Sequence, residues 1–307
     1  MTADTVRVGR ITVELSHTGK VLFPDAGITK GDLVAYYQHT AGAMLPWLRD
    51  RPVAMRRYPD GITTTEIMQK NVPGYFPDWI TRAEIRKQGG SVRQVICDKP
   101  ATIVYLANQA CIELHAFLST LDRIGNPDQL IFDLDPPDAD RFGDVRSAAL
   151  LLRDLLEDEL GLAAFLKTTG GKGLHVHVPL NARAGFDAAR GFAQDVAALL
   201  AAGNPGLVTT EQRKDKRGKL VYLDVMRNAY AQLAVAPYSV RARPSAPVAT
   251  PLSWDELDDK LRPGQFTIRT VPDRVSGLSR SDDPWAGLGR RAAGLARAQE
   301  RLRRLAA

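Results

Sequence analysis

Apolar residues recur with a period of two in short stretches and with a helical period in longer ones, the two kinds interleaved along the chain. Ile11, Val13 and Leu15 alternate with polar neighbours and predict an amphipathic strand over 11–16. A loop punctuated by Gly and Pro follows at 18–27. Thr29 and Asp32 then open a helix with the stripe Leu33, Tyr36, Tyr37 and Met44, up to Pro46. Residues 53–61 predict a short strand entering a turn, 66–80 a loop rich in Pro and aromatics, and 92–97 a strand. Ile103, Leu106, Ala110, Leu114 and Leu118 keep helical spacing, so 101–118 predicts a helix with His115 late in it.

An apolar strand at 130–137 stops at Pro136-Pro137 and is followed by a striped helix at 144–160. Two strands, 163–168 and 174–180, flank Thr169-Gly170-Gly171-Lys172-Gly173, and a helix at 187–202 ends at Asn204-Pro205-Gly206. A strand at 220–226 comes next, then a linker-like Pro/Arg-rich loop at 241–251. The remainder predicts a short helix at 254–261, a last strand at 266–271 and a basic helix over 285–307.

Composition adds bounds. The 307 residues allow one large domain or two ordinary ones, and 44% hydrophobic with 25% charged residues is the balance of a soluble globular protein. Residues 1–10 are polar and no run is long enough to span a membrane, which predicts a cytoplasmic protein without a secretory signal. Cys97 and Cys111 lack metal-ligand spacing and read as small buried hydrophobes. The net charge of +6 is gathered in clusters: Arg49 to Arg57, Arg82 to Arg93, 213–219, and Arg241 with Arg243. Four such clusters favour a polyanion partner over a merely solvated face.

The candidate chemistry starts at Asp133 and Asp135, two residues apart on one strand face. Their Cα atoms are about 6.6 Å apart and the charges repel by roughly 2.5 kcal/mol at an effective dielectric near 20. Hard divalent cations offset such a pair; a solvated strand end is the other reading of the dipeptide. Asp224 is a third carboxylate in an apolar strand, which is costly unless it is paired or on a metal. The Gly/Lys connection at 169–173 reads equally as an ordinary hairpin or as a phosphate contact, and it lacks Walker spacing. Lys20 and Lys30 flank a helix start and read as surface lysines or as a phosphate pocket. His175 and His177 share one strand face; with no further His or Cys nearby to complete a transition-metal site, they read as structural or as supports for neighbouring ligands. Three carboxylates with basic clusters match two-metal phosphoryl transfer.

Six motifs in order then give a resemblance: Lys20-Val-Leu-Phe-Pro, Gly27-Ile-Thr-Lys30, Arg57-Tyr-Pro-Asp-Gly, Phe132-Asp133-Leu134-Asp135-Pro136, Thr169-Gly-Gly-Lys172-Gly-Leu-His175 and Ala236-Pro-Tyr-Ser-Val-Arg241. Together they resemble the polymerase domain of bacterial ligase D, a member of the archaeo-eukaryotic primase superfamily, over roughly residues 11–285. The resemblance implies an α+β primase-polymerase core with a largely antiparallel central sheet flanked by helices. It implies that Asp133, Asp135 and Asp224 bind two divalent ions, Mn²⁺ or Mg²⁺, as the catalytic set. His115, Thr169, Lys172, Arg227 and Arg241 match nucleotide contacts, Lys20 and Lys30 a grip on a DNA 5′-phosphate, and Arg217 a contact near the template and 3′ end. Arg57 is assigned with the DNA contacts. The family usually carries two aromatics before a Gln/Glu-Lys pair, where they stack on the template; Ile67 and Met68 stand there and offer no π face.

The implied function is DNA primer extension that prefers ribonucleotides and fills short 5′-phosphorylated gaps or ends in repair. Its implied partners are gapped or broken DNA, nucleoside triphosphates, and a DNA ligase or end-binding repair proteins, with no membrane. The expected division is 1–125 for phosphate and template elements, 126–285 for the catalytic core and 286–307 for a basic helix, all in one unit. A metal-dependent nuclease and a non-catalytic DNA-end-binding module are the alternatives.

Overall fold

The protein is described here by a computed structural model covering residues 4–87, 89–279 and 282–307; the first three residues of the polar N-terminal stretch lie outside it. Two compact units share the chain: Met1–Leu121, Leu233–Thr250 and Phe266–Leu278 form one, and Asp122–Gln232, Pro251–Gln265 and Ser279–Ala307 the other.

The first unit opens with a hairpin of β1 (Thr5–Val8) and β2 (Ile11–Glu14), then a small pair of β3 (Val21–Phe23) and β4 (Ile28–Thr29). Helix α1 (Lys30–Leu48) starts at a capping box in which Thr29 and Asp32 satisfy each other's backbone N–H groups. The sheet contains β5 (Pro52–Arg57), β6 (Ile67–Gln69), β7 (Arg82–Lys87), β8 (Gly90–Ile96) and β9 (Cys111–Phe117), with β15 (Leu233–Val235) added late in the chain. Its order is β15-β9-β5-β8-β7, with β6 paired separately to β5, and every pairing is antiparallel. Leu33, Tyr37, Met44 and Leu48 of α1 share the core with Val53, Met55 and Leu114, and with Ile103 and Leu106 of α2 (Pro100–Asn108). Helix α5 is Val271–Gly277.

The helix expected over 101–118 is therefore two elements. α2 stops at Asn108, Ala110 takes a left-handed turn (φ 54°), and β9 follows with His115 on it. Every residue of β9 is buried, so the stretch lacks the one-faced alternation that marks a strand. The last strand expected at 266–271 is also absent among the described residues. Thr267 makes one isolated bridge with Pro247, and Val271 starts α5 instead, with Pro272, its φ preset for a helix, in the first turn.

The second unit holds β10 (Gln129–Asp135), β11 (Phe165–Thr168), β12 (Leu174–Pro179), β13 (Val208–Thr209), β14 (Val221–Asp224) and β16 (Pro251–Leu252). Their order is β13-β14-β10-β12-β11-β16, antiparallel except for β13 with β14. Leu130, Phe132 and Leu134 alternate with Ile131, Asp133 and Asp135, so one sheet face is apolar and the other carries charge. Helices α3 (Phe142–Asp154) and α4 (Phe186–Gly203) pack on β10, burying Val145, Ala148, Phe192 and Val196. The basic C-terminal helix is shorter than expected. Gly287, at φ 76°, and Gly294 interrupt the pattern, a 3₁₀ turn covers Leu288–Arg291, and α6 is Leu295–Leu305. The short helix at 254–261 reduces to a 3₁₀ turn at Trp254–Glu256. The whole is α+β with mainly antiparallel sheets flanked by helices.

Candidate active site

Register builds the acidic site. Asp133 pairs with Asp224 on β14 and with His175 on β12, and His175 pairs with Lys167 on β11. Directly paired residues share a face, so Asp224, Asp133, His175 and Lys167 form one row across the sheet, with Asp135 two residues along. The row is wired by contacts. Buried Lys167 donates through Nζ to His175 Nδ1 at 3.0 Å, and His175 Nε2 stands 3.3 Å from Asp133 Oδ1. Burial first, and then the charge of Lys167, lowers His175 to about 4, so its imidazole is neutral near pH 7 with the Nε2–H turned to the carboxylate.

The turn after β14 returns two side chains to β10. Asp224 Oδ1 accepts from the Met226 N–H at 2.7 Å, and the 3₁₀ turn Met226–Asn228 follows. Arg227 Nε then reaches Asp133 Oδ2 at 3.1 Å. Asn228 bonds both the N–H and the C=O of Ile131, at 2.8 and 2.7 Å, as a strand neighbour would. Burial alone would raise the Asp133 carboxyl, but His175 and Arg227 outweigh it and hold the group well below the usual range. Asp135 behaves in the opposite way: burial, and next the Asp133 charge, pushes it up to about 7.

The hairpin from β11 to β12 lies against this carboxylate. Thr169 donates to Gly173 O through its N–H (3.2 Å) and its hydroxyl (3.1 Å), and Gly171 N–H donates to Thr169 Oγ1. Gly170 adopts φ 65°. A Cβ on Gly173 would stand 2.3 Å from Leu134 O and 3.1 Å from Asp135 Oδ1, so only glycine allows this approach. Lys172 is exposed at the tip. Arg217 donates to Glu211 O and Gln212 O and covers the Tyr222 ring at 3.5 Å, and Tyr222 pairs with Asp135.

Among the described residues, no group of three or more His, Cys, Asp and Glu side chains closes to metal-holding distance. The donor chemistry nevertheless fits a hard cation. Three carboxylates occupy adjacent strand positions, Asp133 Oδ1 is buried with only the long 3.3 Å contact to His175, and Asp135 is raised by burial and then by like charge that a cation would cancel. Arg227 supplies the positive charge beside Asp133.

The other expected residues belong to the first unit. His115 and Arg241 meet on one buried carboxylate, Glu113, whose Oε2 is 2.8 Å from His115 Nε2, 3.2 Å from Arg241 Nε and 2.7 Å from Arg56 Nη1. Lys30 N–H donates to Lys20 O across the β3–β4 pair, placing the two lysines together. Burial, then the charge of Lys20, lowers the pKa of Lys30, whose ammonium donates to Ser16, while Lys20 pairs with Asp60. Ile67 and Met68 stand exposed on β6, paired with Arg57 and Arg56. Arg57 donates to Gln109 O, Gln69 Oε1 and the Tyr75 hydroxyl. Sequence reasoning missed Glu113 and Lys167. The i,i+2 spacing of Glu113 and His115 was the available signal, hidden by the helical reading of that stretch.

Residues 29–285 match the family described as LigD, primase-polymerase domain. The bifunctional non-homologous end joining protein LigD of Bacillus subtilis is 33% identical over 264 residues, which are 86% of this chain and 42% of that protein. The multifunctional non-homologous end joining protein LigD of Pseudomonas aeruginosa is 34% identical over 92% of this chain and 34% of its own. The chain thus spans less than half the length of these curated relatives. A solved structure of the polymerase domain from Mycobacterium tuberculosis ligase D in complex with DNA superposes with a TM-score of 0.83 and 32% identity, over 91% of this chain and 99% of that one.

Proposed function

The chain belongs to the LigD primase-polymerase domain family, a family of nucleotidyltransferases, and on that premise we propose that it extends a DNA primer on a template. In this reaction the primer 3′-hydroxyl attacks the α-phosphate of a nucleoside triphosphate in line, and the bond to the departing pyrophosphate breaks. Asp133, Asp135 and Asp224 would hold the divalent ions, two of Mn²⁺ or Mg²⁺. Such ions lower the pKa of the hydroxyl and neutralise charge developing on the phosphate. Arg227 and His175 keep Asp133 ionised and oriented. Thr169 shapes the Gly-rich hairpin and Lys172 offers an exposed ammonium to a triphosphate. His115 and Arg241 are further nucleotide contacts, Lys20 and Lys30 take a DNA 5′-phosphate, and Arg217, Arg57, Ile67 and Met68 serve the template side. The preferred nucleotide is a ribonucleotide, and the task is filling short gaps or ends during repair alongside a ligase or end-binding protein.

The observation that carries this reading is the register that sets Asp133 opposite Asp224, with Gly173 seated against Asp135. Primer extension on a gapped, 5′-phosphorylated duplex with and without Mn²⁺ tests it. Metal-dependent addition, faster with ribonucleotides and abolished by Asp133→Ala, is the expected result. No addition by the unaltered protein, or full activity after Asp133→Ala, overturns it, and shortening of the strand without addition identifies a nuclease.

A further inference from the structure

Three of the seven exposed large apolar side chains among the described residues fall within nine positions: Ile67 (43% exposed), Met68 (49%) and Tyr75 (62%). Tyr75 is the most exposed of them, yet it is held at two points. Its hydroxyl accepts from Arg57 Nη1 at 3.0 Å, and its ring meets Phe76 edge to face at 5.3 Å. Phe76 is buried and packs in the same way on Tyr105 at 5.0 Å, so the base of the arrangement is fixed in the core.

Arg57 is fixed as well. Its Nε donates to Gln109 O at 2.8 Å, and the Nη1 that reaches Tyr75 also reaches Gln69 Oε1 at 2.6 Å. Arg57 pairs directly with Ile67, and Gln69 lies two residues further along β6, so Arg57, Ile67 and Gln69 share one face. One guanidinium nitrogen therefore ties the Tyr75 ring to the Ile67 side of this edge strand. Exposed Lys70 and Arg93 flank the patch, and Arg93 is tied to the 71–72 turn by its own N–H to Asn71 Oδ1 and by Val72 N–H to its carbonyl.

We propose that Tyr75 is a stacking residue for an unpaired nucleobase of bound DNA, with Ile67 as its apolar neighbour and Lys70 and Arg93 beside the strand's phosphates. The inference rests on the DNA-polymerase reading above. A tyrosine needed only as an acceptor for Arg57 could lay its ring on the core, whereas this ring is left in water. An aromatic held in one orientation loses little entropy on contact, and every base offers it a π face. Basic side chains at the edge complement the charge that each stacked nucleotide brings.

The test uses the full chain, a duplex with a 5′ single-stranded overhang carrying 2-aminopurine, and a blunt duplex of equal length. Tyr75→Ala should bind the overhang substrate about tenfold more weakly, consistent with a base–aromatic contact, lose the quenching of 2-aminopurine, and bind the blunt duplex as the unaltered protein does. Tyr75→Phe keeps the ring and should retain quenching, whereas Tyr75→Leu keeps bulk without a ring and should lose it. Unchanged quenching and affinity in Tyr75→Ala, or equal loss on both substrates, overturns the proposal. A wild-type protein that binds neither duplex overturns the polymerase reading on which it stands.

Discussion

Glu113 Oε2 lies 2.8 Å from His115 Nε2, two residues along the same buried strand. The same carboxylate faces Arg56 and Arg241, so one negative charge serves three basic groups. Burial alone would raise its pKa, but His115 and Arg241 draw it well below the usual range. A depressed carboxyl contributes stability that is present above its unfolded value and lost as pH falls. Glu113→Gln removes the charge that His115 and Arg241 share, while Arg56 keeps its pair with Glu66, and should cost roughly 1.5–3 kcal/mol in urea unfolding. Because His115 and Arg241 lose their common anchor, nucleotide KM should rise about tenfold, with a smaller change in kcat.

Gly173 offers a different lesion. Alanine there meets Leu134 O, a backbone atom that cannot swing away. The hairpin must move off the end of β10, at a cost of roughly 1–3 kcal/mol. Triphosphate binding, measured by equilibrium titration, should weaken in Gly173→Ala more than in a control Gly→Ala at exposed Gly19, where a Cβ meets nothing.

The pH dependence has a definite sign. Asp135 is raised to about 7, so its contribution to the stability of metal-free protein is present at low pH and lost as pH rises from about 4 through 7. His175, lowered to about 4, acts in reverse: stability falls as pH drops below 6.5 towards 4. Asp135→Asn removes only the first slope. Its melting temperature in chelator should gain on the wild type as pH rises from 4 to 7. At a fixed Mn²⁺ concentration a hundred times the Kd at pH 8, the wild type should gain about 2.7 kcal/mol at pH 8 and less at pH 5.5, because protons compete for Asp135.

Lys167 can be read through His175. Lys167→Met removes both the Nζ–H donated to Nδ1 and a like charge. The ¹⁵N shifts of the His175 ring should report a change in tautomer balance, and its titration midpoint should move up from about 4. An unchanged ¹⁵N pattern in a folded Lys167→Met protein would show that the lysine does not set the imidazole.

The acidic strand was legible because Asp133 and Asp135 interrupt an apolar run at strand spacing and Pro136-Pro137 ends it. The capping box at Thr29 and Asp32 and the β11–β12 hairpin were legible for similar local reasons. Cys111–Phe117 was not, because a strand buried on both faces loses the alternation by which strands are recognised. That error also hid Glu113, whose partners Arg56 and Arg241 lie 57 and 128 positions away along the chain. Tyr75 stood in a stretch read only as loop, and its tie to Arg57 depends on how that loop folds back.

The late arrival of β15 has a consequence for synthesis. Until residues 233–235 are made, the outer edge of β9 has no neighbour, and Leu114 lacks the N–H of Ala236 and the hydroxyl of Ser239 that satisfy its backbone. At roughly 5–20 residues per second, the ribosome takes about 6–22 s to produce the intervening segment 122–232. During that interval a nascent strand of seven apolar-rich residues presents bare hydrogen-bonding groups, the condition under which edges recruit foreign strands. Unit 1 thus cannot seal this edge co-translationally as its first 121 residues emerge, and yield in the cell should depend on holdase capacity more than its finished stability would suggest.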